Sequence, residues 1–597
     1  MTRIITMPQQ SLIESFLRTA DRHRNRVALA AKVDGEYRPS TYAETAERVR
    51  RLGAHLIGMG VQPGDRVALF SDNRPEWAIS DLGTLAAGAV LVPLYATLPA
   101  PQVEYILRDS GARVLIVTGQ KRLEIALSVR ANLPDLEQII VIDAPAPEGT
   151  HAFEALLEED APEYRAESER RVAALGEADL ATIVYTSGTT GEPKGAMLTH
   201  GNLLCNVGAM RAVLSLTPSD IFLSFLPLSH IFERSCGSYL PLTTGAAVYY
   251  AESLFTVAKN LEEVRPTIMM SVPRLYENMR HRILEAASKA KPAQRVLLHW
   301  ALRVGHERTR CRLERRFAGP GLRLRHAIAE RLVLRKLRQR MGGRIRFFIS
   351  GGAPLPPDAC EFFFDLGLVL LQGYGLTETS PVVAVNRPAD PRPYGIGPAL
   401  DNLEVKIADD GELLVRGPSV MQGYWKKPEE TQAAIDAEGW FHTGDIARMD
   451  PDGHLHITDR KKNLIVLSTG KKVAPQPIEG RLSTSPFIGD VLLLGDRRST
   501  IGALVVPCFD ALREQDGLAG LENAELAASP VVRQLIRAEI DRLSDGLAEF
   551  ERIKRFAVLD REFSLDAGEI TPTLKPRRDV IMEHFAPQVQ SIFTRDA

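Results

Sequence analysis

Two patterns of apolar residues alternate along most of this chain. Short continuous runs, as in Gly64-Asp-Arg-Val-Ala-Leu-Phe70 and Ala112-Arg-Val-Leu-Ile-Val117, each follow or contain a turn signal, and segments of helical period lie between them. A strand with no polar side is covered on both faces, so the alternation predicts an α/β architecture with largely parallel, buried strands. The uncharged stretch from Leu82 to Ala100 has the length of a membrane span, but Gly83, Gly88, Pro93 and Pro99 interrupt it, which predicts a helix, a turn and a buried strand instead. From Asp401 the texture changes to short strands and glycine turns, as in Asp410-Gly-Glu-Leu-Leu-Val-Arg-Gly417, and a β-rich subdomain is expected. The polar run Thr458-Asp-Arg-Lys-Lys-Asn463 precedes a new α+β pattern, placing an expected boundary between residues 1–459 and 460–597.

At 597 residues the chain exceeds what one hydrophobic core holds, which agrees with more than one domain. A formal net charge of -2 supplies no global field for nucleic acid, so no nucleic-acid partner is expected. Five scattered cysteines without CxxC spacing argue against a disulfide framework and a zinc site, and point to the reducing cytoplasm. The first eighteen residues lack a charged segment followed by a sustained apolar one, so no secretory signal is expected. One region departs from the neutral average. Between Lys289 and Arg346 arginines crowd a helical pattern with few acids, either as a solvated helical insertion or as a surface for anionic lipid at the inner membrane face.

The strongest chemical signal is Tyr185-Thr-Ser-Gly-Thr-Thr-Gly-Glu-Pro-Lys-Gly195, entered from the strand-like Leu180-Ala-Thr-Ile-Val184. Glycines let backbone N–H groups approach a polyphosphate, hydroxyls add donors, and Lys194 adds charge. The order Lys194-Gly195 excludes a Walker A loop, which ends Gly-Lys-Ser/Thr. Ser350-Gly-Gly-Ala-Pro-Leu-Pro356 offers glycines for flat packing on a planar base. Gln372-Gly-Tyr-Gly-Leu-Thr-Glu-Thr379 is expected to set an aromatic, a hydroxyl and a carboxylate on one glycine-kinked loop, the carboxylate suited to magnesium shared with phosphate. Trp440-Phe-His-Thr-Gly-Asp445 offers an acid after a turn, suited to ribose hydroxyls.

In this order, from about Thr41 to Arg578, the stretches resemble the adenylate-forming superfamily of acyl-CoA synthetases, peptide adenylation domains and luciferases. The resemblance implies a large N-terminal domain of stacked α/β subdomains plus a small β-barrel, and a small mobile α+β C-terminal domain. It implies ATP and AMP binding by Thr186, Ser187, Gly188, Thr189, Thr190, Gly191, Lys194, Gln372, Gly373 and Gly375, with Gly351, Gly352, Ala353, Pro354 and Tyr374 holding the adenine. Thr377 would meet the α-phosphate, Glu378 and Thr186 would hold Mg2+, and Asp445 and Arg460 the ribose. Lys462 would be the hinge, Ser468, Gly470 and Lys471 a coenzyme A-side loop, and Lys575, within Gly568-Glu-Ile-Thr-Pro-Thr-Leu-Lys-Pro-Arg-Arg578, the adenylating lysine. Thr573-Leu574 replaces the usual Ser-Gly before that lysine.

Leu226-Pro-Leu-Ser-His-Ile-Phe-Glu-Arg234, Pro266-Thr-Ile-Met-Met-Ser-Val-Pro-Arg-Leu-Tyr276 and the arginine-rich insertion are similar to the long-chain branch. There His230 would gate the junction of acyl and coenzyme A tunnels, a core histidine being the alternative. The implied activity is ATP-dependent conversion of a long-chain fatty acid to acyl-CoA through an acyl-adenylate. A fatty acyl-AMP ligase loading a carrier protein, a synthetase for shorter or unusual acids, and a silent nucleotide- or lipid-binding scaffold are the competing readings. Self-association is left open.

Overall fold

Strands apolar at every position need helices above and below them, and the chain meets this need with two eight-stranded sheets. The computed structural model describes residues 11–143, 145–186, 192–564, 567–570 and 576–593. In the first sheet Ile221–Ser224, Ile268–Ser271, Phe347–Ser350 and Leu370–Gly375 run parallel side by side. In the second, Arg66–Phe70 lies between Val90–Leu94 and Ala112–Val117, also parallel. Helices Tyr42–Gly58, Pro75–Ala86 and His200–Leu214 fill the space between the sheets. Their Leu52, Leu82 and Leu203 share one core with Val67 and Leu91 of the second sheet and Ile268 and Ile349 of the first. Each such side chain contributes roughly 1.5–3 kcal/mol by leaving water. The outer face of each sheet carries its own apolar layer.

Local chemistry starts these helices where the pattern demands. Thr41 and Glu44 form a reciprocal capping box at the first of the three, and Thr199 and Asn202 form one at the third. The uncharged stretch at Leu82–Ala100 resolves as expected, the helix closing at Ala86 and the buried strand running Val90–Leu94. Among the described residues no helix is long and apolar enough to cross a membrane.

Antiparallel strands Glu404–Ile407, Glu412–Arg416, Phe441–Met449 and Leu455–Arg460 occupy the region expected to be β-rich. Single bridges Gly397–Leu455 and Ala384–Ala399 tie this sheet to the chain before it. Beyond it a smaller C-terminal unit surrounds a three-stranded sheet, Ile488–Leu494, Ile501–Pro507 and Ile553–Val558. Its core, with Leu504, Ile536 and Phe556, draws only on residues after Leu464. The arginine-rich region is helical, as expected: Pro292–Leu313, Pro320–Ala329, a π-helical turn Glu330–Leu334, and Arg335–Arg340.

Candidate active site

The glycine- and hydroxyl-rich stretch is the return of an antiparallel pair, Leu180–Thr186 against Lys194–Thr199, and its register sets Thr186 opposite Lys194. Ser187, Gly188, Thr189, Thr190 and Gly191 lie outside the described residues. The short strand Gly423–Tyr424 adds to the free edge of Lys194–Thr199. This places the Tyr424 ring 5.3 Å from Lys194 Nζ. The Tyr424 hydroxyl donates to Glu378 Oε1 at 2.8 Å. Desolvation and then the Glu378 carboxylate raise the phenol far above its ordinary range, so it stays a donor. Tyr424 carried no motif; only strand pairing brings it to the site.

The stretch Gln372–Thr379 is not the single loop expected. Gln372, Gly373, Tyr374 and Gly375 are paired in the strand Leu370–Gly375, and a 3-10 turn, Thr377–Thr379, follows. The neighbouring strand crowds this bend: a Cβ on Gly375 would stand 1.7 Å from the Pro381 carbonyl oxygen, so only glycine fits. Gln372 spends its side-chain N–H on the Pro393 carbonyl, 2.8 Å away. Asp445 also departs from expectation. It lies within the strand Phe441–Met449, paired with Arg460 across the ladder, not after a turn. The carboxylate accepts from the Tyr374 hydroxyl at 2.5 Å and faces Arg460 Nε at 3.2 Å, with Asp445 only 3% exposed. Burial first and Asp445 second push the Tyr374 phenol well above its ordinary value.

Both clusters line one cavity of about 3110 Å³ between the two units, together with Thr377, Gly351, Gly352, Ala353 and Pro354. The Phe232 ring fills the space beside Gly351, where a Cβ would meet it at 2.9 Å. His230 also lines the cavity, its Nδ1 accepting from the Phe232 N–H at 3.1 Å, so it is a wall residue and not a core histidine. One turn on, Glu233 is 1% exposed with Oε2 unpartnered among the described residues, and burial lifts its carboxyl to about 8. Arg234 is fully buried and grips Asp81, its Nε donating at 2.9 Å and its second terminal nitrogen at 2.5 Å.

On the small unit's side Lys462 is exposed and lines the cavity from the 3-10 turn Lys461–Asn463, while Lys461 is held by Asp410 at 2.6 Å and Glu412 at 2.9 Å. Ser468, Gly470 and Lys471 sit on the tip joining Ile465–Val466 to Lys472–Val473, exposed and away from the cavity. The Lys471 ammonium rests 4.6 Å from the Phe550 ring instead. Lys575 lies outside the described residues.

Residues 16–425 match the model of the AMP-binding enzyme family, and residues 462–597 match that of the AMP-binding enzyme C-terminal domain. The chain is an AMP-binding enzyme. It is 37% identical over 572 residues to Long-chain-fatty-acid--CoA ligase FadD15 of Mycobacterium bovis, with 94% of each chain covered. It is 33% identical to Long chain acyl-CoA synthetase 7, peroxisomal, of Arabidopsis thaliana, across 94% of this chain and 83% of that protein. The anthranilate CoA ligase AuaEII, solved with anthranoyl-AMP, shares the fold at a TM-score of 0.76, 23% identity, and 99% and 100% coverage. In this AMP-binding enzyme the parallel strands Phe347–Ser350 and Leu370–Gly375 deliver Gly351 and Tyr374 to the cavity from their C-terminal ends, where open α/β sheets bind ligands.

Proposed function

We propose that this AMP-binding enzyme is an ATP-dependent ligase that converts a long-chain fatty acid to acyl-CoA through an acyl-adenylate, releasing pyrophosphate and AMP. ATP and coenzyme A are its substrates and Mg2+ its cofactor. The observation that carries the reading is the pair of poles in one cavity: Lys194 and Glu378 at one, Tyr374, Asp445 and Arg460 at the other. A cation and a hard oxygen ligand suit polyphosphate; a half-buried aromatic with a fixed carboxylate suits a nucleoside.

In this reading the fatty carboxylate attacks the α-phosphorus of ATP in line, forming the mixed anhydride and expelling pyrophosphate. Lys194 and the Thr186–Lys194 return hold the leaving phosphates, and Thr377 meets the α-phosphate. Gly351 to Pro354 and Tyr374 sandwich the adenine, Asp445 and Arg460 fix the ribose, and Lys575 bridges carboxylate and phosphate. This is positioning and charge stabilisation with no covalent protein intermediate. The coenzyme A thiol then attacks the acyl carbonyl, the C–O bond to AMP breaks, and the thiol proton is lost to water or a wall residue such as His230. Between the steps the unit of residues 460–597 swings on Lys462, exchanging Lys575 for the Ser468–Lys471 tip, with residues 1–459 staying fixed.

The site's oxygen donors fit Mg2+. Glu378 Oε1 takes one hydrogen bond and its other oxygen none among the described residues, while Thr186 offers a hydroxyl nearby on the cavity wall. Mg2+ takes oxygen ligands and shares substrate phosphate among them, so one carboxylate and a hydroxyl from the protein would serve. When bound, the ion neutralises charge on the departing pyrophosphate. Work in the cytoplasm, with residues 289–346 touching the anionic inner face of the membrane, completes the reading.

The test is to supply palmitate, ATP and Mg2+ with and without coenzyme A, following pyrophosphate and thioester separately. Release of pyrophosphate with no thioester would point to carrier loading, and release of neither to a silent scaffold.

A further inference from the structure

We propose that the helical hairpin of residues 292–340 is a docking surface for an anionic phospholipid bilayer, in which an apolar stripe enters the lipid and a cradle of Arg308, Arg312 and Arg323, which make no ion pair among the described residues, holds lipid phosphate. The inference rests on the membrane reading of residues 289–346 above, and names its face, its anchoring residues and the chemistry they grip.

Charge is concentrated here beyond anything else in the chain. Residues 289–346 hold eighteen Arg and Lys against three Glu, a surplus of fifteen, whereas the whole chain carries -2. Most helices of a soluble domain turn their apolar side inward; this hairpin also turns one out. Leu324, Ile328 and Leu332 are spaced by four along the continuous helical run from Pro320, and they are 65%, 44% and 44% exposed. With Val296 and Phe317 they make five of the fifteen large exposed apolar residues among those described. The opposite face is anchored, Ala301, Val304, Ala329 and Leu334 being packed in the core beneath the first sheet, so the exposed stripe is not an unfolded end.

Between the hairpin's arms lies a cavity of about 800 Å³ lined by Arg308, Arg312 and Arg316 from one side and Arg323 and His326 from the other. Arg308 and Arg312, four residues apart on the helix Pro292–Leu313, stand one above the other, and Arg316 follows the helix end. Arg308, Arg312 and Arg323 make no ion pair among the described residues, although Arg310, Arg316 and Arg325 nearby do. Arg323 lies 4.1 Å over the exposed Phe317 ring, joining the cationic and apolar halves. One carboxyl, Asp365, shares the cavity; it is turned to His306 at 3.1 Å, and burial raises its pKa toward the neutral form. Guanidinium groups with no carboxylate partner among the described residues, on the same hairpin as exposed aliphatic side chains, match a surface of phosphates over hydrocarbon. An acidic protein would satisfy the arginines but leave the exposed aliphatic stripe in water, whereas a bilayer takes up both.

Cosedimentation of the full chain, without substrates, with phosphatidylcholine vesicles containing phosphatidylglycerol tests the proposal. The protein should bind these vesicles, release them as salt rises, and bind pure phosphatidylcholine far less. The variant R308Q/R312Q/R323Q should bind about 100-fold more weakly, since each arginine near an anionic surface adds several-fold. The variant L324S/I328S/L332S should lose the binding that survives high salt. Wild-type binding to both vesicle types alike, or either variant binding as the wild type does, overturns the proposal. So does a thermal shift by inorganic phosphate that R308Q/R312Q/R323Q abolishes while vesicles are ignored, which would make the cradle a site for a soluble anion. Pyrophosphate release from palmitate and ATP in detergent should equal wild type in both variants, so failure here is distinct from failure of the ligase reading.

Discussion

The two walls of the central cavity are built in opposite ways. On the large unit, Asp445 is fastened by strand register, by Tyr374 and by Arg460, and Glu378 by Tyr424. On the small unit, Lys462 is exposed on a short turn, and the tip from Ser468 to Lys471, also exposed, stands away from the cavity. Groups proposed to hold the nucleotide sit on paired strands or, like Glu378, on the turn that follows one, where movement breaks several bonds together. Groups that would serve in only one of two half-reactions sit where few buried contacts resist relocation. The difference separates variants that damage binding and stability together from variants that damage one chemical step.

Asp445→Ala should be the most damaging of these to activity. It removes the charged hydrogen bond from Tyr374 and the ion pair with Arg460 together with the carboxylate proposed to hold the ribose, an interaction worth roughly 1.5–3 kcal/mol or more, so pyrophosphate release should fall at least about 100-fold. A fall below about tenfold would mean that the fixed wall does not hold the ribose. Asp81→Asn extends the test to the supporting core: it leaves Arg234 charged and fully buried without its counterion, which should cost about 3–5 kcal/mol in urea unfolding. A cost under about 1 kcal/mol would show that the wall's rigidity has another source.

Glu233 sharpens the comparison through pH. Its folded carboxyl titrates at about 8 against an ordinary 4.5, because burial disfavours the charge. Below pH 4.5 both folded and unfolded states are protonated, and this contribution to stability is complete. As pH rises toward 8 only the unfolded state ionises, so stability declines by about 1.4 kcal/mol per pH unit from this group. Glu233→Gln cannot ionise and should flatten the decline by that amount; an unchanged slope in denaturation curves from pH 5 to 8 would remove Glu233 as its cause. Lys462→Pro, on the other wall, should leave stability within about 1 kcal/mol. Proline fixes φ, so single-turnover pyrophosphate release should persist while acyl-CoA formation falls about tenfold or more. Proportional loss of both half-reactions would erase the distinction between the walls.

The places where reading along the chain went astray share one cause. Gln372–Gly375 and Asp445 look like loop residues because glycine and polar side chains dominate both stretches, yet each is a strand held by partners remote in sequence. Local composition reports a segment's preference, and pairing with a neighbouring strand overrides it. Tyr424 and the Asp81–Arg234 pair had no local signature at all.

By itself the sequence determined the α/β alternation, the break in apolar period before the C-terminal unit, the glycine- and hydroxyl-rich return ending in Lys194, and the charge surplus of the arginine-rich helices. These are legible because periodicity, turn chemistry and charge are properties of neighbouring residues. Tertiary structure alone decided that Tyr374 meets Asp445 across 71 residues, that Tyr424 reaches Glu378 across 46, and that Arg234 is neutralised by Asp81 across 153. It also decided which arginines are buried with a carboxylate, as Arg234 is with Asp81, and which, like Arg308 and Arg312, are exposed and make no ion pair among the described residues. Burial and register are set by which surfaces the folded chain brings together, and no short window of residues contains that information.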